Sequence, residues 1–364
     1  MVSAFAALVQ QTDRSTGVRR TLNLTFILYV FRFLGIFRLT RFLYRNRLMI
    51  LAYHGAELDD EASFRPKLFI RRETVERRLR FLRRKRFNVV SLQDGLRLLR
   101  EGALPRNSIV VTVDDGWYST LQILHPAFVE AGINYTLYLT TYFVEKGGPV
   151  TNVAMSYLLW KTRRRDKVPA AELGLGVKAK QYDFSLSSER QACEEDLLAC
   201  LETLDFEDGR ALLARVAEAL RVDLNEINRR RAFDLMHPEE ITSLVRDGVD
   251  IELHTHRHRI PVGDAPGFAS ELGENRKQVI RIAKTEPKHF CYPSGIHYPS
   301  CEKILADAGV SSATTCDPGF VTETTNPFYL PRFLDSESVR QIEFEAEVCG
   351  LKQTARSLLF RGND

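Results

Sequence analysis

From residue 48 onward, short runs rich in Val, Ile, Leu and Tyr alternate with longer segments that carry an apolar stripe, and this alternation constrains the fold more than any other feature. Compact apolar runs bounded by turn residues read as buried strands, and stripes of period 3.6 read as covering helices, so the pattern builds a parallel sheet from βα units. Strands are expected at LMILAY (48–53), NVVSL (88–92), IVVTV (109–113), NYTLYLT (134–140), VDIEL (249–253), KHFCYP (288–293) and SSATTC (311–316). RETVERRLRFLRRK, LQILHPAFVEAG and ENRKQVIRIAKT supply helices between them. MHPEEITSLVRDG is punctuated at both ends: Pro238 suits a first helical position, Glu239 and Glu240 face the positive end of the dipole, and Gly248 stops the helix.

Residues 145–235 break the rhythm with a charged, mainly helical stretch, read as an insertion at the barrel rim, placed to form a lid or a wall of a binding site. The expected organisation is a basic amphipathic helical segment at 1–47, a barrel over 48–345 interrupted by that insertion, and a tail over 346–364. With 364 residues, 44% apolar and 27% charged, one folded catalytic domain with additions accounts for the chain.

The first 50 residues are rich in arginine and contain a single acid, Asp13. TLNLTFILYVFRFLGIFRLTRFLYRNRL is too interrupted by Arg32, Arg38, Arg41 and Arg45 for a spanning helix, which needs about 20 apolar residues. It suits a helix lying on the protein's own core or on an anionic bilayer, so residues 22–47 are a peripheral membrane contact in one of two readings. The basic bias is too local for nucleic acid. The six cysteines form no CxxC pair and are expected as thiols, and MVSAFAALVQQTDRSTGVRR lacks a signal-peptide pattern, so the expected location is cytoplasmic, peripheral at the inner membrane if the basic segment binds lipid.

Three of the expected strands end in ionisable residues. IVVTVDDGW ends in Asp114 and Asp115, and a turn at Gly116 can bring two neighbouring carboxylates into one site, one for a metal and one for a proton; a helix N-cap is the alternative. IELHTHRHRIP places His254, His256 and His258 after the next such strand. Two imidazoles and one carboxylate hold a metal while leaving positions open; a turn lets His254 and His258 share a face, though spacing alone does not remove His256. MILAYHG contributes His54, which alone would read as a core histidine. In a parallel barrel the C-terminal strand ends form the active-site face, so all three segments would converge there.

At this point the chain resembles the polysaccharide deacetylases with the NodB homology domain, carbohydrate esterase family four in the broad sense. TVDDGW resembles the T-F-D-D-G motif and HTHRH the H-[ST]-x-x-H motif; AYHG and FCYPSG are similar to the exopolysaccharide-processing branch. The resemblance covers about residues 48–145 and 235–335 and implies a distorted parallel (β/α) barrel. It implies Asp114 as base, Asp115, His254 and His258 as metal ligands, and His54 as proton donor, since no histidine follows His297. An R-P-P-Y-G-like motif, whose arginine orients the base in the classical branch, is replaced by Cys291-Tyr292-Pro293-Ser294-Gly295. Arg332 in FYLPRF is the substitute tether, or an ordinary ion pair. Trp117, Tyr292, Pro293 and Ser294 are expected to line the substrate, with a backbone N–H near Ser294 for the oxyanion; packing is the alternative for both aromatics.

The activity implied is metal-dependent hydrolysis of N-acetyl groups on amino sugars of a polysaccharide or glycan precursor, with Zn2+ the expected ion by ligand type. Two rivals remain: a deacetylase or deformylase of a lipid-linked sugar, and an inactive glycan-binding barrel.

Overall fold

The computed structural model describes residues 17–176 and 180–360; most of the MVSAFAALVQQTDRSTGVRR segment read above lies outside them. Twelve strands are formed among the described residues: β1 (Leu48–Tyr53), β2 (Gly55–Ala56), β3 (Phe69–Ile70), β4 (Asn88–Val89), β5 (Ser108–Asp115), β6 (Thr136–Leu139), β7 (Lys167–Pro169), β8 (Gln181–Asp183), β9 (Asp250–Leu253), β10 (His289–Cys291), β11 (Ser312–Thr314) and β12 (Phe333–Leu334). The main sheet runs β11-β10-β9-β6-β5-β1-β12, with β4 also on β5, and every pair in it is parallel. All the strands expected from sequence are present: β1 has the expected bounds, β5 runs past them at both ends, the other five are shorter, and β12 adds an edge.

The sheet curls into a half-barrel with helices around it, and the chain bridges its open side. Residues 327–330 bond to the β11 edge, where the Leu330 N–H donates to the Ala313 carbonyl at 2.9 Å, and Phe333 and Leu334 then pair with β1. Side-chain alternation sorts the interior from the outer layer. Leu48, Ile50, Val110, Tyr138 and Cys291 pack inside, while Met49, Leu51, Tyr53, Ile109, Val111 and Val113 pack under the helices. Leu92 and Leu99, on the helix Leu92–Arg100, join the inner cluster.

Register sets the height of the active face. Val113 lies beside Tyr53, Asp115 beside Leu139, Leu139 beside Leu253, and Leu253 beside Phe290. His54 therefore follows β1 abreast of Asp114, and His254 follows β9 one step above the Asp115 row.

Two helices precede the barrel, Gly17–Phe33 and Ile36–Leu43, and two follow it, Gln341–Val348 and Leu351–Phe360. The 145–235 stretch folds as helices Thr151–Lys161, Ser187–Thr203, Phe206–Leu220 and Leu224–Arg230 plus the antiparallel β7–β8 pair. Its two ends close on each other, with the Val150 N–H on the Phe233 carbonyl at 2.8 Å, and are tied to the turn after β5 by the Met236 N–H on the Gly116 carbonyl at 2.9 Å. The insertion thus rises from the face where the strands end. LQILHPAFVEAG, expected as an ordinary helix, opens with a π-helical turn at Thr120–Leu124 before the helix His125–Glu130, a wide turn of a kind common beside functional sites.

Candidate metal and catalytic site

Asp114 continues the inward alternation of Val110 and Thr112, so the pleat alone aims it into the barrel. There it meets Arg332, which is fully buried. Arg332 donates Nη1 to Asp114 Oδ1 at 2.7 Å and Nη2 to Oδ2 at 2.8 Å, and it is fixed by Nε to the Thr315 carbonyl at 3.0 Å and Nη1 to Thr112 Oγ1 at 3.2 Å. Burial works against the charge on Asp114, but the guanidinium, with His54, outweighs it and holds the carboxyl below its ordinary range.

The same pleat would send Asp115 outward into the helix layer. Instead it takes φ 74° and Gly116 φ 96°, and the left-handed pair turns the carboxylate back toward the opening. A Cβ on Gly116 would come within 2.5 Å of Leu139 Cδ1, so this turn requires glycine for space as well as for φ. Asp115 Oδ2 accepts the Trp117 indole N–H at 2.8 Å. Asp115 Oδ1 is buried with no hydrogen-bond partner among the described residues, and it lies 3.3 Å from His254 Nε2 and 3.3 Å from His258 Nε2. Burial opposes this charge too, and the two imidazoles hold the carboxyl far below its usual value.

His254 is buried, with its backbone N–H on Asn275 Oδ1 at 3.0 Å and Nδ1 at 2.8 Å from the Cys291 carbonyl. A carbonyl can only accept, so Nδ1 carries a proton, and Nε2 is the nitrogen turned toward Asp115. Thr255 (φ 61°) and His258 (φ 55°) make the turn that returns His258 to the same opening, where it is partly exposed. His256 points elsewhere: its Nδ1 meets Thr141 Oγ1 at 2.9 Å. His54 Nε2 stands 3.7 Å from Asp114 Oδ2 on the open side.

Among the described residues two side-chain sets could hold a metal ion, Asp115–His254–His258 and Asp114–His254–Cys291. The second is compromised by Arg332, whose Nη2 sits 2.9 Å from Cys291 Sγ and already occupies Asp114, so a cation there would face a guanidinium. The first offers an orphaned buried carboxylate oxygen and two imidazole nitrogens, a donor set that leaves coordination positions free, and it fits a divalent ion.

The residues expected to line the substrate are placed differently from one another. Trp117 and Tyr292 are buried: the Trp117 indole serves Asp115, and the Tyr292 ring stacks on Tyr329 with centroids 6.2 Å apart. Neither presents a free face to a sugar in this structure. Pro293 is buried beneath the turn, whereas Ser294 is exposed with φ 55°. Sequence reading missed Cys291, Asn275 and Glu271. Asn275 also donates Nδ2 to the Leu139 carbonyl at 2.9 Å, and Glu271 Oε2 accepts the Arg257 N–H at 2.8 Å, so one helix pins both ends of the histidine loop. The signal was two buried polar residues four apart on the apolar stripe of the helix Ala265–Ala283.

The fold is the distorted parallel (β/α) barrel seen in solved deacetylases. Residues 204–313 match the family model for polysaccharide deacetylase, a segment that contains His254 and His258 and ends before Arg332. The chain is similar in structure to the Streptococcus pyogenes deacetylase PplD in complex with acetate (11% identity, covering 83% of this chain and 98% of that one, TM-score 0.55). It is similar also to a de-N-acetylase from Aggregatibacter actinomycetemcomitans (14%, 82% and 98%, TM-score 0.52) and to a polysaccharide deacetylase from Bacillus cereus (13%, 84% and 70%, TM-score 0.51). No protein of curated function matches in sequence. The family match is confined to that segment, and the likeness to the solved deacetylases shows a shared fold.

Proposed function

We propose that this protein is a metal-dependent hydrolase that removes N-acetyl groups from the amino sugars of a polysaccharide or glycan precursor and releases acetate. The observation that carries the reading is the opposite treatment of two adjacent carboxylates. Asp114 is clamped by Arg332, while Asp115 keeps one buried oxygen open toward two imidazoles.

Asp115, His254 and His258 would hold the ion, zinc by ligand type. A bound divalent cation supplies Lewis-acid polarisation of the acetyl carbonyl and a lowered pKa for water. Asp114, kept anionic by its guanidinium partner, takes the proton of the attacking water. A backbone N–H of the Ser294 turn donates to the oxyanion as it develops, and His54, on the open side of Asp114, protonates the departing sugar nitrogen. Acetate leaves and the sugar retains a free amine. The exopolysaccharide-like motifs favour a poly-N-acetylglucosamine type of substrate.

A second form of the same reading places the reaction on a lipid-linked sugar at the cytoplasmic face of a membrane. The apolar and basic N-terminal helices favour it.

The test is acetate release from N-acetylated oligosaccharides by metal-loaded wild type and Asp114→Asn. Turnover in the wild type that is lost in the variant, with metal content unchanged, is the expected result. Normal turnover by Asp114→Asn removes the base assignment, and glycan binding without acetate release by the wild type leaves a binding protein.

A further inference from the structure

The helix Gly17–Phe33 has two apolar faces. Leu24, Leu28 and Phe31 are buried, and the helix packs on the helices Ile36–Leu43 and Gln341–Val348. Phe26, Tyr29, Val30 and Phe33 recur at i, i+3, i+4 and i+7 on another face and stand open, up to 90% exposed at Phe33. A helix that is apolar on opposite sides is expected to be covered on both. Gly35 (φ 77°) turns the chain into the helix Ile36–Leu43, where Phe37 and Thr40 are buried and Leu39, Phe42 and Leu43 are again exposed. Large open apolar side chains on successive turns of two consecutive helices exceed the scattered exposure usual in a soluble surface.

Basic side chains predominate around this face, with Glu76, Glu130 and Glu345 the acids that border its grooves. Arg38 is exposed and makes no ion pair among the described residues, Arg45 lies 3.7 Å over the Phe42 ring, and Arg47 lies 4.7 Å over Tyr44. The surface continues onto the helix Arg72–Arg84. A groove of about 290 Å³ is shared by Arg32, Phe33 and Arg38 with Phe81, Lys85 and Glu345. Phe81 and Glu345 also border a cleft of about 810 Å³ that is lined by Arg77, Arg80, Arg83 and Arg84. Arg83 and Arg84 are exposed and likewise make no ion pair among the described residues.

We propose that these three helices form one docking face for an anionic lipid bilayer. Phe26, Tyr29, Phe33, Leu39 and Phe42 enter the boundary between headgroups and acyl chains, and Arg38, Arg45, Arg83 and Arg84 pair with lipid phosphates. No described helix is long and apolar enough to cross a membrane, so the contact lies along the surface. A second copy of the chain fits this face less well, because a two-fold pairing sets the same unpaired arginines against each other. The face leaves the catalytic opening clear: Arg41 bonds Asn107 Oδ1 at 3.1 Å, just before β5 begins and at the opposite end of the barrel from Asp114. The proposal stands independently of the chemistry assigned to the strand ends.

The test is co-sedimentation of the full chain with phosphatidylcholine vesicles and with vesicles that also contain phosphatidylglycerol, at low and high salt. Two variants accompany it, Phe26→Ser/Phe33→Ser/Phe42→Ser and Arg38→Gln/Arg83→Gln/Arg84→Gln, each checked for unchanged circular dichroism. Wild type is expected on the anionic vesicles and released by salt, with each variant partitioning at least about tenfold less. Wild type that stays in solution, or variants that bind as well as wild type, overturn the proposal. A concentration-dependent dimer that the phenylalanine variant dissolves, without vesicle binding, assigns the face to self-association instead.

Discussion

Arg332 grips both oxygens of Asp114 from 218 residues away in sequence, at 2.7 and 2.8 Å, inside a barrel where both side chains are buried. The pair ties the edge strand β12 to β5 and fixes the carboxylate that stands beside His54. Fork-to-fork pairing fixes orientation as well as charge, which a lysine cannot reproduce.

Replacing Arg332 with Gln strands a buried carboxylate without its counter-charge. A loss of about 3–5 kcal/mol of stability is expected, together with a fall in kcat that exceeds the change in KM. Urea unfolding and steady-state kinetics check both. Arg332→Lys should fold better than Arg332→Gln yet recover only part of the activity, and wild-type kcat in either variant would show that orientation of Asp114 does not matter.

Trp117 acts on the metal site through one bond, its indole N–H on Asp115 Oδ2. Trp117→Phe keeps most of the buried ring and removes that donor. Partners of this kind are worth about 10–100-fold in metal affinity, so the dissociation constant for zinc, measured by competition with a chelating dye, should weaken by that order while kcat at saturating zinc changes little. An unchanged constant would reduce Trp117 to packing.

Glu252 gives a pH signature away from the site. Burial pushes its carboxyl up to about 8, although Oε2 accepts the Lys288 N–H at 2.7 Å and the His289 N–H at 2.6 Å. Between the ordinary value of 4.5 and about 8 the folded state keeps a proton that the unfolded chain releases. The contribution of this group is therefore full below the ordinary carboxylate range and is lost as pH rises through about 8. Glu252→Gln keeps a neutral acceptor for both N–H groups, so its Tm should gain on wild type as pH is raised from about 5 to about 9. A constant difference across that range would contradict the assignment.

The strand ends were legible because apolar runs and ionisable residues follow each other directly in LMILAYH, IVVTVDD and VDIELH, and register then aligns them. Arg332 was legible only as an arginine beside another short apolar run; that it reaches Asp114 depends on how residues 327–334 bridge the open side of the sheet, a non-local event without a local signature. Trp117 was visible as an aromatic next to the acids, but its direction follows from the left-handed turn at Asp115 and Gly116, which periodicity does not encode. Cys291 contributes through its backbone carbonyl, and any residue type supplies one. The N-terminal segment left its own core and a bilayer as alternatives; it has an apolar face buried on neighbouring helices and another that remains open.

Asp115, His254 and His258 are expected to hold one divalent ion between them. Elemental analysis of protein purified without chelator, beside a His254→Ala/His258→Ala variant with unchanged circular dichroism, measures this directly. About one zinc or similar ion per chain in the wild type, absent from the variant, is the predicted result. No ion in the wild type even after reconstitution, or an equal content in the variant, would contradict it.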